Sequence, residues 1–198
     1  MPINLLGRDE GTEFGRVFFE LTQLKHLYRQ GWLRAGVPEL RCESVADHSY
    51  LTALACMLLV GERPELDAHK VLRLAILHDV GEAYAGDITP HDGVPREEKE
   101  RLEHQAVVSI FGKYAGGTGL IALWEEYAAQ TTAEARFVKE IDRLELSFQA
   151  DIYERQGLID ARAFFDYARE TITCRHVSRE LDAVDAGTPP PPSPKRGA

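Results

Sequence analysis

Apolar residues recur at intervals of three and four along almost the whole chain, a spacing that places them on one face of an α-helix. No segment alternates apolar and polar residues for long enough to form a strand. The pattern therefore predicts an all-α fold, a single-domain bundle of about six or seven helices. The predicted helices lie at about 14–28, 43–60, 67–84, 96–114, 120–130, 134–153 and 160–174.

The length and the charge of the chain limit its organisation and its partners. With 198 residues the chain suits one domain. We expect an N-terminal extension over 1–12, a helical domain over 13–180 and a disordered tail over 186–198, where five of the ten prolines lie. The formal net charge is −9, so no basic stripe is predicted that would bind a nucleic-acid polymer. A small phosphorylated ligand needs only one or two local cations and stays compatible with this charge.

Three features predict a cytoplasmic protein without a membrane segment. The cysteines Cys42, Cys56 and Cys174 are odd in number and far apart, which fits unpaired thiols in a reducing compartment. No apolar stretch approaches the ~20 residues that a membrane span needs. The first residues lack the basic-then-apolar order of a signal peptide.

Four side chains of the kinds that bind metals lie on three of the predicted helices. His78 and Asp79 follow an apolar run on the third helix, and His48 lies on the second among apolar neighbours. Asp142 shares the inward side of the sixth helix with apolar residues, where a lone acid would be costly to bury without a partner or a metal. These helices can bring two imidazoles and two carboxylates to one point.

Two interpretations of this set stay open on the residues alone. Two imidazoles and two carboxylates suit a borderline divalent cation with open positions for water or substrate. Alternatively, His48 and His78 are hydrogen-bonded core residues, and Asp142 caps a helix or pairs with an arginine. Glu82 favours the metal site, because it follows His78 by four residues and would project from the same face of a continuous helix.

The order of these residues resembles the HD-domain superfamily of metal-dependent phosphohydrolases. Two segments are similar to its 5'-deoxynucleotidase branch in particular: Glu43-Ser-Val-Ala-Asp-His48-Ser, and His78-Asp-Val-Gly-Glu82 followed after four residues by Asp87. The resemblance covers roughly 13–175 and implies the all-α fold of that superfamily.

The resemblance also implies roles for individual residues. It implies one divalent ion, of Mn, Co, Fe, Mg, Ni or Zn, held by His48, His78, Asp79 and Asp142. A general acid or base at Glu82, a place for Asp87 in the substrate site and a homodimer are implied as well. Asp87 is also a candidate catalytic residue, which could share the proton transfer or fix the nucleophile.

A third segment, which begins at Lys25, also resembles this branch, in which Arg29 lines the phosphate site. On the residues alone, Arg29 is equally a surface cation at the C-terminus of the first helix. Trp32 is a candidate for stacking on a sugar or base and equally a candidate for the core. Thr89, in the loop after Asp87, is a further candidate for substrate binding.

The predicted function is that of a 5'-nucleotidase acting on (deoxy)nucleoside 5'-monophosphates. A bound divalent ion lowers the pKa of its water toward ~7, Glu82 would transfer a proton, and the planar fork of Arg29 would hold phosphate oxygens. A phosphodiesterase and a nucleoside triphosphate hydrolase are alternatives, although a triphosphate would want more cations than Arg29, Lys25 and Arg34 supply. A non-catalytic metal- and nucleotide-binding module is the last alternative, but it would need neither Glu82 nor Asp87.

Overall fold

The computed structural model describes residues 11–187, and it confirms the all-α class. Within these residues the single β feature is an isolated antiparallel bridge between Tyr28 and Ser44. The predicted N-terminal extension lies outside the described residues except for 11 and 12, and so does the predicted tail except for 186 and 187, which end the last helix. The helices are α1 Glu13–Leu21, α2 Gln30–Ala35, α3 Val45–Leu59, α4 Ala68–Leu77, α5 Glu82–Ala85, α6 Arg96–Phe111, α7 Gly117–Ala129, α8 Ala133–Arg155, α9 Arg162–Thr171 and α10 Arg175–Gly187.

The long helix α8 is the centre of the bundle. It is capped by Thr132, the residue before it, whose side chain accepts a hydrogen bond from the backbone N–H of Ala135. α8 packs against α3, α4, α7, α9 and α10, and its residues Val138 and Ile141 are fully buried in the main core cluster. Because Asp142 lies on the same buried surface of α8, the packing of the core carries this acid inward. No helix of the described residues is long and apolar enough to cross a membrane.

The third predicted helix, over 67–84, is interrupted in the structure, so its prediction as one helix is wrong. α4 ends at Leu77, the chain turns through 78–81, and the short helix α5 begins at Glu82. The turn brings Gly81 against α6 so closely that a Cβ atom at this position would lie 2.8 Å from Cβ of Glu103. His78 and Glu82 therefore do not share one face of a helix, as the spacing predicted, but both lie at ends of helices that meet near α6.

The first predicted helix is wrong in its end. α1 stops at Leu21, a 3₁₀ turn covers Thr22–Lys25, and α2 begins at Gln30, so the helix ends before 28 and a second helix follows where none was predicted. The cause is a contact from a distant loop: Asp87 Oδ2 accepts a hydrogen bond of 2.5 Å from the backbone N–H of Gln30, one of the N–H groups that a helix start leaves unsatisfied. Arg29 thus precedes a helix instead of ending one.

Two further differences concern the C-terminal half. The sequence predicted a non-helical segment at 116–119, between the fourth and fifth helices. In the structure α7 already starts at Gly117, where a Cβ atom would lie 1.8 Å from the carbonyl oxygen of Phe111. The sequence pattern also gave no helix after 174, whereas α10 follows there and buries Val177 and Leu181 in the main core.

Candidate active site

A cavity of about 820 Å³ opens between α2, the loop after α5, α8 and α9. Seven of the predicted site residues line it, and His48 and His78 are buried beside them. His78 also lines an adjoining cavity on the side of α6 and α7. The seven residues are Arg29, Trp32, Asp79, Glu82, Asp87, Thr89 and Asp142.

The Nε2 atoms of His48 and His78 face each other. His78 Nδ1 lies 2.7 Å from the carbonyl oxygen of Ala75, which can only accept, so this nitrogen carries the proton. His48 Nδ1 lies 2.5 Å from Glu145 Oε2 and is placed to donate in the same way. The two Nε2 atoms are then both acceptors, only 3.3 Å apart. A cation between or beside the two nitrogens, either a proton or a metal ion, relieves the repulsion between their lone pairs.

Two carboxylates complete this cluster. Asp79 Oδ2 lies 3.1 Å from His78 Nε2 and 3.5 Å from His48 Nε2. Asp142 Oδ1 lies 3.2 Å from His48 Nε2, and ligand atoms of His48, His78 and Asp142 all lie within 4.8 Å of one another. Imidazole nitrogens with carboxylate oxygens at these separations form a donor set that suits a divalent transition metal.

The charges of the cluster favour a bound cation. Burial opposes ionisation of Asp79, but the neighbouring His78, His48 and Arg29 outweigh it and lower the pKa of Asp79 below its usual value. Burial and Arg29 likewise oppose a charge on His48, yet its hydrogen bonds to Asp142 and Glu145 raise its pKa to about 10. The groups around the two Nε2 atoms therefore stabilise positive charge at that point.

The two carboxylate oxygens of Asp142 have different partners, one of each kind predicted from the sequence. Oδ2 accepts hydrogen bonds of 3.0 Å from both Lys139 and Arg143, so the predicted pairing with an arginine is present. Oδ1 faces His48 and remains available to the cluster. Burial raises the pKa of Asp142, but Lys139, Arg143 and His48 outweigh it, and the pKa lies well below its usual value.

Arg29 faces the cluster from the chain before α2. Its Nη1 lies 3.1 Å from Asp87 Oδ1, 3.7 Å from Asp79 Oδ2 and 3.9 Å from Glu82 Oε2. Its burial disfavours the charge, but these carboxylates outweigh it and raise the pKa of Arg29. The alternative of a surface cation at a helix end is therefore wrong, since Arg29 points into the cavity.

Glu82 has a buried carboxylate oxygen that forms no hydrogen bond within the described residues. This oxygen is Oε2, and the residue as a whole is 3% exposed. Lys99 Nζ lies 4.0 Å from the other oxygen, Oε1. Burial first, and then the charges of Asp79 and Asp87, raise the pKa of Glu82 well above its usual value. A buried carboxyl of this kind can hold and transfer a proton near neutral pH.

Trp32 and Thr89 line the cavity, but local contacts already engage their polar groups. Trp32 is 1% exposed and donates from Nε1 to Glu43 Oε1 at 2.7 Å, while its ring packs against Phe164. This burial favours the packing role over stacking on a base. Thr89 donates from Oγ1 to Asp92 Oδ2 at 2.8 Å and caps the turn Pro90–Asp92.

Four residues of the site were missed by the sequence analysis. Glu145, Lys139 and Arg143 all lie within one turn of Asp142 on α8, so helical spacing from that acid could have found them. Lys99 comes from α6, ten residues after Thr89, and no local signal marks it.

The sequence profile of the family described as HD domain matches residues 21–183, which include the whole cluster. The chain belongs to the HD domain family. The predicted resemblance is thereby confirmed.

Two HD relatives carry the name of an activity. The chain is 40% identical over 166 residues to a protein of Dictyostelium discoideum named 5'-deoxynucleotidase HDDC2, an alignment that covers 77% of this chain and 86% of that protein. It is 42% identical over 134 residues to the Homo sapiens protein of the same name, covering 67% of this chain and 64% of the relative. The alignment thus spans less than two thirds of the human protein.

Solved structures of similar fold support the membership. A conserved hypothetical protein from Pyrococcus furiosus superposes with a TM-score of 0.72 at 31% identity, over 86% of this chain and 98% of that chain. A predicted metal-dependent phosphohydrolase from Magnetospirillum magnetotacticum superposes with a TM-score of 0.67 at 27% identity, over 88% and 93% of the two chains.

Proposed function

We propose that this HD domain protein is a metal-dependent 5'-nucleotidase that releases phosphate from deoxynucleoside 5'-monophosphates. The observation that carries the proposal is the pair of inward Nε2 atoms of His48 and His78 with two ionised carboxylates beside them, next to a cavity that holds Arg29 and Glu82. The names of the curated relatives support the same activity. A homodimer and a cytoplasmic location belong to the proposal, and light scattering tests the first.

The proposed ligands of one divalent ion are His48, His78, Asp79 and Asp142. The two imidazoles suit a metal ion because their Nε2 lone pairs face each other. A cation between them removes the repulsion between these lone pairs. Mn, Co, Fe, Mg, Ni and Zn are the candidate ions, and the mixed nitrogen and oxygen donors do not single out one of them. When bound, a divalent ion supplies Lewis acidity, which lowers the pKa of a water molecule and neutralises charge on a phosphoryl oxygen.

Arg29 and Glu82 divide the remaining work in this proposal. A terminal phosphate is close to a dianion, and the Arg29 fork can hold two of its oxygens. The raised pKa of the buried Glu82 carboxyl favours its protonated form, and it would deliver this proton to the 5'-oxygen that leaves with the nucleoside. Both oxygens of Asp87 already accept hydrogen bonds, from Arg29 and from the start of α2. We therefore assign to Asp87 the positioning of Arg29.

Hydrolysis of nucleoside triphosphates is the second candidate. Lys25, one of the three cations weighed for a triphosphate from the sequence, is exposed and lies outside the cavity. Three other cations line the cavity: Lys99, Lys139 and Arg143. Each of these cations faces a carboxylate, as Arg29 does. The names of the curated relatives therefore make the monophosphate the first choice.

The deciding experiment is phosphate release from a panel of nucleotides with Mn²⁺, Co²⁺ and Mg²⁺ in turn. The panel contains deoxy- and ribonucleoside monophosphates, a deoxynucleoside triphosphate and a diester. Release of inorganic phosphate from the monophosphates is expected. Turnover of the triphosphate or the diester alone would replace the proposal with the corresponding alternative.

Arg29→Lys is expected to lower kcat/KM for a deoxynucleoside monophosphate by about 1.5–3 kcal/mol, the range for hydrogen bonds to charged groups. Lysine keeps the charge but cannot hold two oxygens with the same geometry. The loss on a diester substrate should be much smaller, because a diester carries one negative charge instead of two. Arg101→Lys, on the exposed face of α6, is the matched control. Equal losses on both substrates, or none, would remove Arg29 from the phosphate site.

Glu145→Ala is expected to weaken the binding of Mn²⁺ by about 10- to 100-fold, the usual effect of losing the partner of a ligating histidine. The reason is that Glu145 fixes the proton on His48 Nδ1 and so turns Nε2 inward. Glu145→Gln should retain most of the affinity, since its amide oxygen still accepts. Calorimetric titration measures the affinity, and Glu140→Ala, on the same helix but bonded to Thr173, is the control. Wild-type affinity in Glu145→Ala would contradict the assignment.

A further inference from the structure

The aromatic side chain that meets the cavity most openly is Tyr167 of α9. It is 42% exposed and lines both the cavity at the cluster and the adjoining one. Trp32, by contrast, is 1% exposed, and Trp124 and Tyr127, which line the adjoining cavity, are also buried. Phe164 is half-buried and packs with its ring centre 4.7 Å from that of Trp32. Of the phenylalanine, tyrosine and tryptophan rings along the two cavities, Tyr167 offers the largest open surface.

Arg143 connects Tyr167 to the cluster. Its guanidinium donates to Asp142 Oδ2 at 3.0 Å, and its Cζ lies 5.0 Å from the centre of the Tyr167 ring. Two contacts in series thus lead from the carboxylate at the cluster to the aromatic ring. A nucleoside 5'-monophosphate has a corresponding layout, since a single pentose separates its phosphate from its base.

The wall next to Tyr167 is apolar. Ala163 lies one turn before Tyr167 on α9, and Phe164 follows Ala163. Leu146 lies one turn after Asp142 on α8, the helix that packs against α9. All of these residues line the same cavity as the charged groups. The side chains of Leu146, Ala163 and Phe164 offer uncharged contact area beside the Tyr167 ring, which suits a flat, weakly polar group.

We propose that Tyr167 is the stacking platform for the base of a bound nucleotide, with Leu146, Ala163 and Phe164 beside it. Aromatic side chains bind nucleobases by stacking because every base has a π face. Arg143 steadies the ring from the side of the cluster through its cation–π contact. The identity of the ligand rests on the proposed function, whereas the platform itself rests on the exposure and position of Tyr167.

The test compares deoxyadenosine 5'-monophosphate with 2-deoxyribose 5-phosphate, which has the same sugar and phosphate but no base. Tyr167→Ala should lower kcat/KM for the nucleotide by about 5- to 150-fold and change that for the sugar phosphate by less than about twofold, as expected for loss of one stacking contact. Tyr167→Phe should keep most of the activity on both substrates, because the ring remains. Tyr114→Ala is the matched control, since Tyr114 is 40% exposed and lines neither cavity.

Three outcomes would overturn the platform. Equal losses on both substrates would mean that Tyr167 acts through Arg143 and Asp142. Unchanged activity on both would leave the base without a contact at Tyr167, and a loss in Tyr167→Phe as large as in Tyr167→Ala would assign the effect to the hydroxyl group. If the wild-type protein releases phosphate from neither substrate, the proposed function fails separately. Calorimetric binding of the same two compounds to wild type and Tyr167→Ala then decides on the platform.

Discussion

Asp142→Asn is expected to abolish metal binding and activity while the protein stays folded. Asp142 Oδ1 is a proposed ligand atom, and loss of even an outer partner of a ligand costs about 10- to 100-fold in affinity, so loss of a ligand should cost more than about 100-fold. Asparagine retains an oxygen that can accept from Lys139 and Arg143. Alanine would instead leave these two cations without this partner, so a loss of metal could not be separated from a loss of stability.

Elemental analysis after dialysis against the metal measures occupancy, and circular dichroism with a thermal melt measures folding. Asp151→Asn is the control, because Asp151 is also buried on α8 and pairs with Arg155 at 2.6 Å away from the cluster. The control should keep its metal at wild-type occupancy. Full occupancy in Asp142→Asn, with the fold intact, would remove Asp142 from the ligand set.

The all-α class and the composition of the cluster were accessible from the sequence because both have local signatures. Apolar spacing of three and four residues is a property of each helix by itself. His78 and Asp79 are adjacent in the chain, and the segments around them carry the resemblance to the HD domain family, which the family match confirms. The ligand roles of these residues stay a prediction, although the folded chain brings the side chains together.

The interruptions of the helices were not accessible because each depends on a contact with a distant part of the chain. After Leu77 the chain turns, and Gly81 packs closely against Glu103 of α6. The side chain of Asp87 satisfies the backbone at Gln30 and starts α2. Neither contact leaves a periodic signal near the place where it acts. The same two contacts bring Glu82 and Arg29 to the cavity, so the errors in helix boundaries fell where the site is built.

Glu82→Gln is expected to lower kcat by about 10²–10⁴-fold, the usual scale for a positioned acid or base, while the affinity for the metal stays near that of the wild type. Glutamine keeps the shape of the side chain, but its amide cannot supply the proton that the buried carboxyl holds. Stopped assays of phosphate release measure kcat, and calorimetry measures the metal. Glu103→Gln is the control, because Glu103 also pairs with Lys99, at 3.5 Å, and lies outside the cavity at the cluster.

A substrate with a better leaving group distinguishes two roles for Glu82, protonation of the leaving oxygen and deprotonation of the attacking water. If Glu82 protonates the departing 5'-oxygen, the defect should nearly vanish on p-nitrophenyl phosphate, whose phenolate leaves without a proton far more readily than an alkoxide. A defect of equal size on both substrates would place Glu82 at the attacking water instead. Near-normal turnover of Glu82→Gln on the nucleotide would exclude both roles and direct attention to Asp87, the carboxylate at 3.1 Å from Arg29. Asp87→Asn would then have to show the loss that Glu82→Gln lacks, with its effect confined to kcat.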